Sequence, residues 1–141
     1  MFRSHLRRHP LRGATIALVL ALSAACGSGT AEPENPTVTG NWVGTGVAYG
    51  AVEDWLLRMK ESPDGTVTGT FSLRVERLVF SGTVSGIHTF PSISLDLDMN
   101  VFGNIVNATY QGQVISADSI AGTYQRFDDP AQTLDLDRQG T

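Results

Sequence analysis

Ile93-Ser94-Leu95-Asp96-Leu97-Asp98-Met99 alternates apolar and polar residues without a break. Successive side chains of a strand point to opposite faces, so this rhythm sets Ile93, Leu95, Leu97 and Met99 on one side and Ser94, Asp96 and Asp98 on the other. The same period of two runs outward in both directions. Toward the N-terminus, Leu78, Phe80, Gly82 and Val84 alternate with Val79, Ser81, Thr83 and Ser85, and Val67, Gly69, Phe71 and Leu73 with Thr66, Thr68, Thr70 and Ser72. Before them come Trp55, Leu57 and Met59, and a Gly-rich stretch from Trp42 to Tyr49. Toward the C-terminus, Val106, Ala108, Tyr110, Gly112 and Val114 form one set, Ile120, Gly122 and Tyr124 another, and Leu134, Leu136 and Arg138 the last.

These segments make eight expected strands, and nothing after residue 38 carries a helical period. Short links such as Ser62-Pro63-Asp64-Gly65, Ser116 to Asp118 and Asp128-Asp129-Pro130 are turn chemistry. Links this short join antiparallel neighbours rather than crossovers. A meander leaves two exposed edges, and pairing the first strand with the last removes them. The expected fold is therefore all-β, an eight-stranded antiparallel up-and-down β-barrel over residues 39–141, with a two-sheet β-sandwich as the alternative. Gly44, Gly46, Gly69, Gly82, Gly86, Gly112 and Gly122 fall on the inward set. Inward glycines in strands mark bends or a crowded wall.

Gly40-Asn41-Trp42 opens the first strand and Arg138 closes the last. This pair resembles the calycin group of lipocalins, fatty-acid-binding proteins and avidins. In that group a Gly-x-Trp motif starts the barrel and a late arginine packs over the indole, so the resemblance assigns barrel closure to Gly40, Trp42 and Arg138. Asp64-Gly-Thr-Val-Thr-Gly-Thr-Phe71 is also similar to the second hairpin of avidins. The chain departs from the group in having no helical segment after the last strand. It has two tryptophans, Trp42 and Trp55, both early, so an avidin-type biotin pocket is not supported.

The N-terminus reads differently. Arg3, Arg7, Arg8 and Arg12 precede the apolar run Thr15 to Ala25, the layout of a secretory signal peptide. The run is too short for a comfortable membrane-spanning helix. Leu22-Ser-Ala-Ala-Cys26 resembles a bacterial lipobox, with Ser23 where the usual leucine stands. The resemblance implies removal of residues 1–25, lipidation of Cys26 and anchoring of the chain to a membrane through that lipid. Gly27 after the cysteine implies delivery to the outer membrane in a cell with two membranes. The plain alternative is an ordinary signal peptide cut near Ala25. Residues 26–38, rich in Gly, Ser, Pro and Glu, are expected to form a flexible tether.

Without residues 1–25 the chain keeps 116 residues, six of them basic and fourteen acidic, a net charge of −8. So acidic a domain is not expected to bind nucleic acid, which needs clustered Lys and Arg. Cys26 is the sole cysteine, so no disulfide can form within the chain, and no metal or cofactor is expected.

His88 is the one histidine after residue 25 and is expected in a surface loop before Phe90-Pro91. Asp96, Asp98, Asp135 and Asp137 alternate with core leucines and belong on the wet face. Tyr49, Trp55, Phe71, Tyr110 and Tyr124 are the expected lining of any ligand cavity, with Arg58, Arg74, Arg77 or Arg126 near its mouth. No catalytic set emerges, and a non-enzymatic role is expected. The reading is a cell-envelope lipoprotein with a lipocalin-like barrel that takes a small apolar or amphipathic ligand. The alternative is a structural or interaction protein with a filled barrel.

Overall fold

The computed structural model describes residues 34–140. The signal segment 1–25, the lipidation site Cys26 and the tether as far as residue 33 lie outside the described residues. The described chain is all-β: β1 (Gly40–Ala48), β2 (Ala51–Glu61), β3 (Thr66–Val75), β4 (Leu78–Thr89), β5 (Ser92–Val101), β6 (Asn104–Ser116), β7 (Ser119–Arg126), β8 (Gln132–Thr133) and β9 (Leu136–Arg138).

Each strand pairs antiparallel with the next from β1 to β7. β7 then pairs with β8 and β9, and β9 returns to β1 through Trp42↔Arg138 and Val43↔Asp137. The sheet thus joins its own ends, and the barrel, not the sandwich, is the fold. β8 and β9 are one wall of the barrel in one register, Tyr124↔Gln132 and Ile120↔Leu136. They separate at Leu134 and Asp135 because the Gly122 N–H bonds the Asp135 carboxylate at 3.2 Å instead of a backbone carbonyl.

The alternation sorts residues as the sequence implies. Leu57, Leu73, Leu95, Leu97, Ile120 and Leu136 are buried inside, while Asp96, Thr83, Thr70 and Gln111 are exposed on the outer face. An apolar inside with a polar outside is the reverse of a membrane-spanning barrel. The glycines serve the tight wall. A Cβ on Gly69, Gly82 or Gly86 would sit 2.0 Å from a carbonyl oxygen of the neighbouring strand. One on Gly44 would sit 2.4 Å from the Asp135 carbonyl, so Gly44 lets the last wall close on β1.

Three expectations need correction. His88 is not in a surface loop: β4 runs on to Thr89 because the His88 N–H bonds the Gly65 carbonyl at 2.8 Å, and the alternation then turns the imidazole inward. Tyr49 does not line the interior. It occupies the β1–β2 turn at φ 51° and is 84% exposed. The folded part begins before residue 39, since Val38 is fully buried in the core.

Candidate functional site

The two ends of the barrel are built differently. At one end the segment Thr37–Thr39 is stitched across the strands. The Trp42 indole N–H donates to the Val38 carbonyl at 2.9 Å, and the Arg138 guanidinium lies 4.4 Å from the indole ring centre. That guanidinium also donates to the carbonyls of Thr37, Thr39 and Ala117. A Cβ on Gly40, at φ 147°, would lie 2.5 Å from its Nη1 atom, which is why a glycine opens the motif. Gly40, Trp42 and Arg138 therefore meet at one point.

The sequence reading missed Glu61 at this end. Its Oε2 accepts from the Val38 N–H and the Thr37 hydroxyl, and its Oε1 lies 2.8 Å from His88 Nδ1. Burial pushes the Glu61 carboxyl up, but the Val38 N–H, His88 and Thr37 outweigh it and hold the group below its ordinary range. An open cleft of about 1030 Å³ lies beside this clamp, bordered by Pro36, Ser62, Pro63 and Phe90. Glu61 and His88 resemble the orienting and base members of a catalytic pair. A general base must reach a proton on its substrate, however, and the His88 Nε2 atom is sealed from solvent with no hydrogen-bond partner among the described residues. Both oxygens of Glu61 are engaged in holding the end shut. The signal for His88 was present: carrying the β4 alternation two residues past Gly86 turns it inward.

The other end carries the turns Tyr49-Gly50, Glu76-Arg77, Phe102-Gly103 and Phe127 to Ala131. Just inside it, Glu53 on β2 is 2% exposed. It forms an ion pair with Arg126 at 2.8 Å and accepts a hydrogen bond from the Tyr124 hydroxyl. Burial, reinforced by this carboxylate, pushes the Tyr124 phenol well above its ordinary range. The Trp55 ring packs between Phe71, at 5.6 Å between ring centres, and Tyr124, at 5.1 Å. The Trp55 N–H is buried and has no hydrogen-bond partner among the described residues. A buried donor left unpaired costs about 1–3 kcal/mol. A recess of about 220 Å³ opens beside Tyr124 and Arg126, lined by them together with Ala48, Tyr49, Asp129, Pro130 and Gln132 and not by Trp55 itself.

Of the expected lining, Trp55, Phe71 and Tyr124 thus come together near the mouth. Tyr110 lies inside as well, but its hydroxyl donates to the Leu134 carbonyl at 3.0 Å and its ring fills the space over Gly112 and Gly122. Tyr49, outside the barrel interior, still lines the recess from the β1–β2 turn. Among the arginines, Arg126 turns inward, while Arg58, Arg74 and Arg77 are exposed. The paired aspartates stay on the outer face, Asp98 accepting from the Asn107 amide at 2.9 Å.

Two solved structures share this architecture, and both are designed proteins. One is a redesigned β-barrel, mFAP1, bound to DFHBI, with 16% identity and a TM-score of 0.62 over 71% of this chain and 94% of that one. The other is a de novo designed fluorescence-activating β-barrel, with 15% identity and a TM-score of 0.59 over 72% and 93% of the two chains. At such identities the likeness is one of fold. No protein-family model and no curated protein matches the sequence.

Proposed function

We propose that this chain is a non-enzymatic envelope lipoprotein, anchored through Cys26, whose lipocalin-like barrel binds a small amphipathic ligand at its mouth. The observation that carries the reading is the recess lined by Tyr124 and Arg126, with the Trp55 ring packed behind it against Tyr124 and the Trp55 N–H a buried donor without a partner among the described residues. A ligand with an apolar body and an acceptor oxygen that displaced the Tyr124 ring would supply what Trp55 lacks. The neighbouring barrel mFAP1 is bound to DFHBI. That supports the reading only by analogy of fold. The acidity of the chain supports the absence of a nucleic-acid partner.

The test is fluorescence titration with 1-anilinonaphthalene-8-sulfonate, an aromatic probe carrying acceptor oxygens. Saturable emission that Trp55→Phe and Arg126→Met each weaken supports the site. Emission unaffected by either substitution refutes it. Lipidation is tested separately by labelled palmitate in a bacterial host, where incorporation should disappear in Cys26→Ser.

A specific observation favours the second reading, a filled barrel acting as a structural or interaction module. Trp42, Tyr110 and Tyr124 are each at most 1% exposed, and glycines on the wall accommodate the tyrosine rings. Absence of any probe binding by the folded chain selects this reading.

A further inference from the structure

The mouth is ringed by apolar side chains that the fold itself does not use. Three of its four turns place an aromatic residue at positive φ: Tyr49 at 51°, Phe102 at 50° and Phe127 at 49°. Two of these precede a glycine also at positive φ, Gly50 at 77° and Gly103 at 89°. Turns of that geometry favour Asn or Asp before glycine, because a bulky residue at positive φ is disfavoured. The three rings gain little packing in return, being 84%, 90% and 71% exposed. Local preference is thus violated at equivalent places with little internal compensation beyond the Asp129 carboxylate beside the Tyr49 hydroxyl, which is the mark of a functional surface.

Just behind the tips lies a second apolar tier. Val47 and Val52 face each other across β1 and β2, Leu78 and Val79 begin β4, and Ile105 begins β6, all more than half exposed. Successive turns at this end fall between β1 and β2, β3 and β4, β5 and β6, and β7 and β8, so they divide the circumference evenly. The result is a ring and not a one-sided patch. Further from the mouth the outer face of the strands turns largely polar, with Thr45, Asp54, Arg74, Asp98 and Asn107, although Ile87 and Ile115 are exposed near the opposite end.

We infer that this rim docks on a lipid surface, its aromatic tips entering the boundary between headgroups and acyl chains. A ring of tips needs a flat, deformable apolar partner that touches all of them together, which a bilayer supplies. Tyrosine and phenylalanine on short turns match the chemistry of that boundary. The charges at the same level are mostly acidic, Glu76, Asp128 and Asp129 against Arg77, since Arg126 is turned inward onto Glu53. An acidic rim is repelled by an anionic surface and tolerates a zwitterionic headgroup, so the partner is a zwitterionic bilayer. The described N-terminal residues lie at the opposite, clamped end, where Glu34 borders the cleft beside Glu61. Docking through the rim is therefore distinct from anchoring through Cys26. It goes beyond ligand binding, and it would place the mouth against a source of amphipathic molecules.

The test uses the full chain carrying Cys26→Ser, so that no lipid anchor contributes, with phosphatidylcholine vesicles whose acyl chains carry a bromine quencher. Trp42 and Trp55 are buried and serve as a constant background. Added indoles in Phe102→Trp and Phe127→Trp are expected to be quenched, while one at the opposite end, in Phe90→Trp, is not. Quenching at both ends alike, or at neither, overturns the proposal. In a second arm, Phe102→Asn with Phe127→Asn should weaken vesicle partition at least about tenfold, since two exposed rings are withdrawn. These side chains carry little of the fold, so the doubly substituted barrel should remain folded. Unchanged partition in a folded double variant overturns the proposal. So does rim-dependent self-association without vesicle quenching, which would assign the ring to a second copy of the chain. Probe binding in the recess, measured without vesicles, reports on the ligand site independently.

Discussion

Replacing Arg138 by alanine tests how the barrel is closed. The β1–β9 seam has two paired positions, whereas β1 and β2 share nine, so closure leans on side chains. The guanidinium hydrogen-bonds the carbonyls of Thr37, Thr39 and Ala117 and covers the Trp42 ring. A hydrogen bond to a charged group is worth about 1.5–3 kcal/mol and a cation over an indole about 0.5–2 kcal/mol. These terms share one side chain and do not add in full. Arg138 is also 22% exposed, so water can reach some of the abandoned carbonyls. A loss of about 2–4 kcal/mol follows, a large share of a small domain's stability. Arg138→Lys keeps the charge but not the planar fork and should lose about half as much. Urea unfolding followed by tryptophan fluorescence measures both. An alanine variant within about 0.5 kcal/mol of the parent, no more than an ordinary surface substitution costs, would refute the clamp as the closing device.

Other consequences follow from single contacts. Gly122→Ala places a Cβ 2.5 Å from the Tyr110 hydroxyl and 2.6 Å from the Gln111 carbonyl, and should cost about 1–3 kcal/mol in thermal unfolding. Glu61 has a depressed pKa, so its contribution is complete above the ordinary carboxyl value of about 4.3 and fades as pH falls through the folded value. The stability gap between the parent and Glu61→Gln should then narrow on acidification from neutral pH; a gap independent of pH contradicts the assigned contacts. Tyr110 and Tyr124 have phenols raised by burial, so absorbance titration of the folded chain should leave them protonated through the range in which a free phenol ionises, near about 10. Because the unfolded chain ionises there first, stability falls as pH rises past that value.

Much of the fold was legible because one face of each strand is buried and the other wet, so Ile93 to Met99 and its counterparts carry their orientation in the sequence. The closing contact was legible from Gly40, Trp42 and Arg138. The pairing of Glu61 with His88 was not, because the two lie on strands separated by β3 and meet only through the curvature of the wall. The same holds for Glu53 on β2 and for Tyr124 and Arg126 on β7, strands separated by β1 and the β8–β9 wall. Tyr49 was misplaced because alternation alone does not reveal where a strand ends, and the Tyr49-Gly50 turn lacks the usual Asn or Asp. The aromatic tips escaped notice for the same reason. They look like core residues until the turns put them outside.

The chain has two indole N–H groups, and they differ in a way that makes them built-in reporters. That of Trp42 is bonded to Val38 at the clamped end, and that of Trp55 is unpaired among the described residues near the mouth. Proton–nitrogen correlation spectra recorded while adding 1-anilinonaphthalene-8-sulfonate should move the Trp55 side-chain resonance progressively and leave that of Trp42 in place. A stationary Trp55 signal, or equal movement of both, would contradict a ligand site at the mouth.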